Sequence, residues 1–216
     1  MKYTGIFFDF DYTLGDATDA IIAGYHNAFS NMGLEDPTVD AVRHTVGHML
    51  ADGYSMITGD RSEENRQRFC ALFAEVARPM QRKHTKLCVG AKEVLHGLHE
   101  KGIAIAVISS KHEGVLQAIM DQHDLTPILA DVVGGDKVKK PKPDPEGILK
   151  TLAETGLAKE QVLFCGDTVI DAEAAKNAGV DFCAVLNGTT EAPAFADFPC
   201  VHIAPDLPEL QRWLGV

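Results

Sequence analysis

Three aspartates stand at places in the sequence where short apolar segments end. Asp9 and Asp11 follow the apolar residues 6–8, and Asp167 follows residues 162–165. Mg²⁺ in proteins prefers one or two carboxylates together with water and the phosphate oxygens of a substrate. Asp9 and Asp167 therefore predict a site at which Mg²⁺ and a phosphorylated substrate bind together.

A second set of residues suits the binding of phosphate. Ser109 ends the apolar segment 103–108, and Lys140 lies in a loop that follows another short strand pattern. Phosphoryl transfer depends mainly on positioning and on neutralising charge. A lysine and a serine hydroxyl supply both, with help from backbone N–H groups at Ser110 and in the turn that contains Thr13. We therefore predict these four residues as phosphate ligands.

The spacing of the aspartates suggests separate roles for them. Asp9 and Asp11 lie two residues apart at the end of a strand, so that one carboxylate can attack phosphorus while the other transfers protons. Asp171 follows Asp167 by four residues, within the first turn of a helix that is predicted to begin near Thr168. At that position it can orient a metal-bound water or hold the lysine.

Strand and helix patterns alternate along most of the chain. Predicted strands cover residues 6–8, 103–108, 132–133, 162–165 and 182–186. Strands that alternate with helices predict an α/β fold with a doubly wound, Rossmann-like parallel sheet. In such a sheet, ligands bind at the carboxyl ends of the strands, near the point where the strand order reverses. We expect the polar residues named above to converge there.

One long segment breaks this alternation. Residues 16–84 contain helical patterns and no convincing strand, with one apolar stripe from Ile21 to Met32 and another from Phe69 to Met80. We predict a helical cap domain at 16–84, inserted into a catalytic core formed by residues 1–15 and 85–216. Its aromatic residues are interpreted as helix packing.

Composition narrows the possible partners and compartments. The 216 residues include 20 basic and 31 acidic side chains, a net charge of −11, which argues against a general nucleic-acid-binding surface. The five cysteines are scattered and never spaced as Cys-x-x-Cys, which is typical of reduced thiols. No segment is typical of a signal peptide or a membrane span. We expect a cytoplasmic protein whose partner is a small phosphorylated metabolite, with no membrane or nucleic-acid partner.

Four motifs resemble those of the haloacid dehalogenase superfamily, in the same order and at similar separations. They are DFDYTL at 9–14, the serine at 109, KPKPDPE at 140–146 and GDTVIDAEAAKNAG at 166–179. The resemblance covers essentially the whole chain. It is closest to the branch with a helical cap after the first motif, in which phosphoglycolate-phosphatase-like enzymes belong.

The resemblance implies a Mg²⁺-dependent phosphatase that hydrolyses a small phosphomonoester through an aspartyl-phosphate intermediate. Asp9 would be the nucleophile and Asp11 the general acid and base. Mg²⁺ would be bound by Asp9, the backbone carbonyl of Asp11 and Asp167, with Asp171 as a supporting carboxylate. Ser109 and Lys140 would bind the phosphate group. The sequence departs from the family at Tyr12, where glycine is usual, and at Ala17, where serine or threonine is frequent.

Two other functions are compatible with parts of this pattern. The first is a β-phosphoglucomutase-like phosphotransferase, which would return phosphate to its substrate. The second is a phospho-accepting signalling domain, which also uses a strand-end aspartate, serine and lysine but is usually far smaller and has no cap. Dehalogenases of the superfamily lack a carboxylate at the position of Asp11, so this chain resembles the phosphoryl-transfer members.

The cap supplies candidate contacts for the leaving group of the substrate. In relatives, the turn equivalent to residues 44–48 closes over the active site. Arg43, His44 and His48 are therefore candidate substrate contacts. Histidines in helix-rich segments are also typical of surface positions, which leaves both interpretations open.

Overall fold

The computed structural model describes residues 2–216, whose core is a sheet of six parallel strands flanked by helices. The strands are β1 Gly5–Phe8, β2 Gly15–Asp16, β3 Lys86–Leu87, β4 Ala104–Ile108, β5 Asp131–Val133, β6 Val162–Gly166, β7 Asp181–Val185 and β8 Cys200–Ala204. The helices are α1 Thr18–Met32, α2 Val39–Arg43, α3 Leu50–Thr58, α4 Glu63–His84, α5 Ala91–Glu100, α6 Glu113–Gln122, α7 Glu146–Thr155, α8 Val169–Ala178 and α9 Leu207–Leu214.

The strand order brings three strand ends together. The order in the main sheet is β5-β4-β1-β6-β7-β8, and all neighbouring strands are parallel. The chain runs from β1 outward to β4 and β5 and then returns to β6 on the other side of β1. The strand order therefore reverses at β1, so that the carboxyl ends of β1, β4 and β6 lie side by side. The predicted doubly wound α/β fold is confirmed.

The two faces of the sheet are covered by different helices. Ile6 and Phe8 of β1 point into a cluster with apolar residues of α5, α6 and α9. Phe7 points to the opposite face, into a cluster with α7 and α8. All three side chains are fully buried. Alternate residues of a strand face opposite sides of a sheet, and burial of both sides explains why these strands are continuously apolar.

The four helices α1–α4 lie between β2 and β3. The two short strands are antiparallel, with Gly15 opposite Leu87 and Asp16 opposite Lys86, so the chain enters and leaves the helical segment at adjacent points. The segment has its own hydrophobic cluster, in which Tyr54 stacks on Phe69 with 5.0 Å between ring centroids. We retain the division into a core and a helical insertion, residues 16–84, as our interpretation of this arrangement.

Two features of the fold were missing from the prediction. Strand β8 lies at the edge of the sheet, where Val201 and Ile203 are exposed and His202 interrupts the apolar run. Its pattern is therefore weaker than that of the central strands. The short β2–β3 pair was also missed. Within residues 2–216, no helix combines the length and apolar character that crossing a membrane requires.

Candidate active site

The turn after β1 places the first two aspartates. The backbone carbonyl of Phe10 accepts hydrogen bonds from the N–H groups of three residues, Thr13, Leu14 and Gly15. Tyr12 has a φ of +59°, in the left-handed region that glycine adopts most easily. Its hydroxyl lies 2.8 Å from Thr18 Oγ1 at the start of α1. The turn thus forms with a tyrosine at the position where the family usually has glycine.

A lysine and two aspartates form a buried ionic cluster beside this turn. Lys142 Nζ lies 2.7 Å from Asp9 Oδ1 and 2.6 Å from Asp171 Oδ1, and each of the three side chains is at most 6% exposed. The other carboxylate oxygen of Asp171 accepts hydrogen bonds from the backbone N–H and hydroxyl of Thr168, at 3.1 and 2.6 Å. Lys142 therefore links β1 to the start of α8 and holds one oxygen of Asp9.

The prediction that Lys140 reaches the site is wrong. Its side chain is 75% exposed, and its Nζ lies 3.9 Å from Asp144. The backbone N–H groups of Lys139 and Lys140 donate to the carboxylate of Glu146, at 2.8 and 3.0 Å, which holds this part of the loop at the surface near α7. Lys142, two residues further along, takes the position predicted for Lys140.

Three carboxylates converge at the centre of the site. Single oxygens of Asp9, Asp167 and Asp171 lie within 4.8 Å of one another, and all three residues are buried. The second oxygen of Asp9, Oδ2, is enclosed and has no hydrogen-bond partner among the described residues. Three buried carboxylates beside one lysine leave excess negative charge, which a divalent cation with oxygen ligands offsets. The predicted Mg²⁺ ligands Asp9 and Asp167 therefore fit such an ion.

Burial shifts the protonation of this cluster. It raises the pKa of Asp9 to about 7, although the charge of Lys142 opposes the shift. It also raises the pKa of Asp167 well above its usual value, with further contributions from Asp171 and Asp9. Burial opposes the charged form of Lys142, but Asp171 and Asp9 outweigh it and raise the pKa of the lysine. The site is thus arranged to receive positive charge.

The predicted phosphate ligands occupy different positions. Thr13 is fully buried, and its hydroxyl donates to Asp167 Oδ1 at 3.1 Å, so its side chain orients that carboxylate. Ser109 and Ser110 line the cavity described below. Ser110 also donates from its hydroxyl to the carbonyl of Gly47, at 2.8 Å, which connects the core to the helical insertion.

Lys111 is a site residue that the sequence analysis missed. Its Nζ lies 3.0 Å from Asp11 Oδ2, and its side chain is only 5% exposed. The other oxygen of Asp11, Oδ1, is enclosed and has no partner among the described residues. The available signal was the position of Lys111, two residues beyond Ser109 at the end of β4.

A partly open cavity of about 270 Å³ lies between these strand ends and the helical insertion. The core contributes Asp9, Asp11, Ser109, Ser110, Lys111, His112, Val115 and Asp136 to its wall, and the insertion contributes Ile21, Tyr25, residues 45–50, Cys70, Phe73, Arg78 and Gln81. Both predicted catalytic aspartates therefore face a volume that a small organic molecule can occupy.

Of the three candidate contacts in the cap, His48 is the one that lines this cavity. Burial lowers its pKa, which favours the neutral imidazole. Neither of the other two candidates lines the cavity. His44 is exposed and its Nδ1 lies 2.8 Å from the carbonyl of Asp40, while the exposed Arg43 lies 5.7 Å from the ring centroid of Tyr12.

Comparison with known proteins gives similarity along most of the chain. A family model described as haloacid dehalogenase-like hydrolase matches residues 6–185. A protein named phosphoglycolate phosphatase from Vibrio cholerae is 31% identical over 181 residues, covering 81% of this chain and 80% of that protein. Another protein of that name, from Pseudomonas fluorescens, is 28% identical over 213 residues, which cover 95% of this chain and 77% of that protein.

The fold is also found among solved structures. One of them is the crystal structure of a haloacid dehalogenase-like hydrolase from Bacteroides fragilis, with a TM-score of 0.94 and 31% sequence identity to this chain. The superposition covers 97% of this chain and 100% of the Bacteroides fragilis chain. The family match at residues 6–185 includes the strand ends that carry the aspartates, and it includes Lys142 and Lys111. The family suggested by the four motifs is therefore confirmed, and the chain belongs to the haloacid dehalogenase-like hydrolases.

Proposed function

We propose that this protein is a Mg²⁺-dependent phosphatase that hydrolyses a small phosphomonoester through a phosphorylated Asp9. The observation that carries the proposal is the buried cluster of Asp9, Asp167, Asp171 and Lys142, from which Asp9 also lines the cavity. The relatives named phosphoglycolate phosphatase support the same class of reaction.

Asp9 is suited to the role of nucleophile because only one of its oxygens is held. Lys142 contacts Oδ1, while Oδ2 has no partner among the described residues. When bound, Mg²⁺ would supply positive charge that offsets the charge of the phosphoryl oxygens beside Asp9. Attack by the carboxylate forms an O–P bond and breaks the bond between phosphorus and the leaving oxygen. Lys142 keeps the carboxylate in place during this step.

Asp11 is suited to proton transfer for a similar reason. Lys111 holds Oδ2, and Oδ1 remains without a protein partner. In the first half-reaction, Asp11 donates a proton to the leaving oxygen of the substrate. In the second, it accepts a proton from the water that attacks the phosphorylated Asp9, which releases phosphate and restores the carboxylate of Asp9 and the protonated form of Asp11. Lys111 acts as a positioning residue for Asp11.

The phosphoryl group would be held from the ends of several strands. Ser109 lies beyond β4 and lines the cavity, next to Ser110, whose backbone N–H is a further candidate donor. Lys142 lies between Asp9 and Asp171 and supplies permanent positive charge. Stabilisation of the transferring group by fixed donors and charges is the main contribution that a protein makes to phosphoryl transfer.

A screen of phosphorylated metabolites with Mg²⁺ tests the proposal. Free phosphate and the identity of the organic product are measured together, and repeated turnover is required. We expect stoichiometric release of phosphate and the dephosphorylated alcohol. An isomeric phosphoester without free phosphate would identify the protein as a phosphomutase-like transferase, and a single turnover that ends in a stable phosphoprotein would identify a phospho-accepting domain.

The two lysines of the KPKP segment should differ strongly in their effect on activity. We expect Lys142→Met to lower kcat by roughly 10²–10³-fold, the range typical for loss of one fixed electrostatic contact. Lys140→Met, the matched control, should change kcat by less than about twofold because its side chain is exposed. Steady-state kinetics measure both, and thermal unfolding checks that each variant folds. A larger loss for Lys140→Met would contradict the placement of Lys142.

The helical insertion should govern selectivity through His48. We expect His48→Ala to change the ranking of substrates in kcat/KM by roughly tenfold, because His48 lines the cavity while the reacting groups belong to the core. His44→Ala is the control and should leave the ranking as it is, because His44 faces solvent. A uniform loss on every substrate for His48→Ala would assign His48 to the reaction itself.

A further inference from the structure

The wall that the helical insertion gives to the cavity is mainly apolar. Ile21 and Tyr25 of α1, Leu50 of α3 and Phe73 of α4 line it, and Val115 of α6 adds an apolar side chain from the core. The aromatic rings of Tyr25 and Phe73 lie 5.7 Å apart in an edge-to-face arrangement, as part of the packed helical cluster. This wall is therefore a packed, mainly apolar surface across from the reacting carboxylates.

Few positive charges inside the cavity are available to an anionic group on the leaving group, in addition to the phosphoryl group. Lys111 is already paired with Asp11, and His112 lies 3.6 Å from Asp136. Burial favours the neutral form of His48. Arg78 also lines the cavity but is exposed to solvent. An anionic leaving group would thus lose its hydration against apolar side chains without a buried free cation to replace it.

One buried polar side chain in this wall lacks a partner among the described residues. Gln81 of α4 is 4% exposed and lines the cavity. Its side-chain amide makes no hydrogen bond to any of residues 2–216, although an amide carries two donors and one acceptor oxygen. An amide at a cavity wall without a protein partner is available to a polar group of a ligand.

We propose that Gln81 determines specificity by binding a neutral hydrogen-bonding group on a mainly apolar leaving group. The proposal rests on the proposed phosphatase function and names the substrate class of that site: a phosphomonoester of an uncharged, partly apolar alcohol. Phosphoglycolate does not belong to this class, because its leaving group is a two-carbon carboxylate.

Benzyl phosphates test this inference, because the methylene group separates ring substituents from the leaving oxygen. The probes are benzyl phosphate, its 3- and 4-carbamoyl derivatives, the matching carboxylates, and 2-phosphoglycolate, each compared by kcat/KM with Mg²⁺. We expect benzyl phosphate to exceed 2-phosphoglycolate. One carbamoyl isomer should exceed benzyl phosphate by roughly tenfold, as expected for one added hydrogen bond to a buried amide.

Substitution of Gln81 identifies the residue responsible. Gln81→Leu should reduce the carbamoyl-to-benzyl preference to about one, because the amide is replaced by an apolar side chain. Gln67→Leu, the same change at an exposed position of α4, should keep the wild-type preference. Thermal unfolding confirms that both variants fold. Retention of the full preference in Gln81→Leu would overturn the assignment.

The outcomes separate this inference from the proposed function. If neither acetyl phosphate nor any ester releases phosphate with Mg²⁺, the phosphatase proposal itself fails. If 2-phosphoglycolate is hydrolysed and benzyl phosphate is no better, only the inference about the leaving group is overturned. A carboxylate derivative that reacts faster than both carbamoyl isomers would also overturn it, because the cavity would then prefer an anionic leaving group to a neutral one.

Discussion

Asp9→Asn is expected to abolish both phosphate release and the formation of any phosphoenzyme. An amide is a poor nucleophile, and the substitution also removes a carboxylate from the predicted metal site. The surrounding contacts make the change specific, because Lys142 still pairs with Asp171 at 2.6 Å. The loss of activity should therefore come from the missing nucleophile, with the ionic link to α8 preserved.

Asp11→Asn should behave differently. It leaves Asp9 and Lys142 unchanged but cannot donate a proton to the leaving oxygen or accept one from water. With a substrate whose leaving group needs little protonation, the first half-reaction should partly survive. The phosphorylated Asp9 should then accumulate, since its hydrolysis still requires a base.

Rapid acid quench and intact-protein mass spectrometry measure this difference. The Asp11→Asn protein should gain the mass of one phosphoryl group after mixing with acetyl phosphate and Mg²⁺, and hydroxylamine should remove it. Asp9→Asn is the control in which no added mass is expected. Phosphate attached to Asp11 in the wild-type protein, or any phosphoenzyme in Asp9→Asn, would reverse the two assignments.

Removal of divalent cations is the other change with a large expected effect. Chelation should lower phosphatase activity by about 10³-fold. A metal ion stabilises the charge that develops in the transition state by several kcal/mol, and each ~1.4 kcal/mol corresponds to about tenfold in rate. The excess negative charge of Asp9, Asp167 and Asp171 beside Lys142 would otherwise repel a dianionic substrate. Added Mg²⁺ should restore turnover. Ca²⁺ should inhibit, because its larger and looser coordination sphere misplaces the nucleophile.

Thermal unfolding provides a measurement of metal binding that does not depend on turnover. An ion that binds the folded protein and not the unfolded chain raises the midpoint of unfolding. We expect Mg²⁺ to raise it in the wild-type protein and to have a smaller effect in Asp167→Asn, whereas Asp197→Asn, an exposed control, should respond as the wild type does. Full activity in protein verified to be metal-free would contradict the proposed dependence on Mg²⁺.

The central fold was predictable because its strands are short, apolar and followed by polar residues. Residues 6–8 and 162–165 are buried on both faces of the sheet, so their patterns are continuous and end abruptly at Asp9 and at Gly166-Asp167. The edge strand β8 lacks this property because one side of it meets solvent. Burial on both faces thus made the central strands the easiest to recognise.

The lysine assignment failed because two lysines precede prolines in the same segment. The restriction on a residue before proline applies equally to Lys140 and Lys142, so local sequence does not separate them. The difference comes from Glu146, whose carboxylate binds the backbone at residues 139–140. A contact across six or seven residues, and not the motif alone, determines which lysine reaches Asp9.

The lining of the cavity was not predictable for a related reason. Gln81 lies in a helical pattern whose buried face is otherwise Phe69, Phe73 and Ala77, and spacing alone places it on that face without indicating a cavity. Whether a buried glutamine meets a protein partner or an open volume depends on how α4 packs against α1 and the core. Helix periodicity contains no information about that packing.

The contact at Gly47 bears on how this enzyme can change its substrate over evolutionary time. Gly47 has a φ of +96°, and a Cβ at this position would lie 3.1 Å from Thr168 Cγ2, next to the helix start that holds Asp171. Its carbonyl also accepts the hydrogen bond from Ser110. Laboratory evolution toward new substrates should therefore collect changes along α1 and α4 and conserve glycine at position 47. The sequence of the insertion would then vary, while the contacts of Gly47 with the core stay the same.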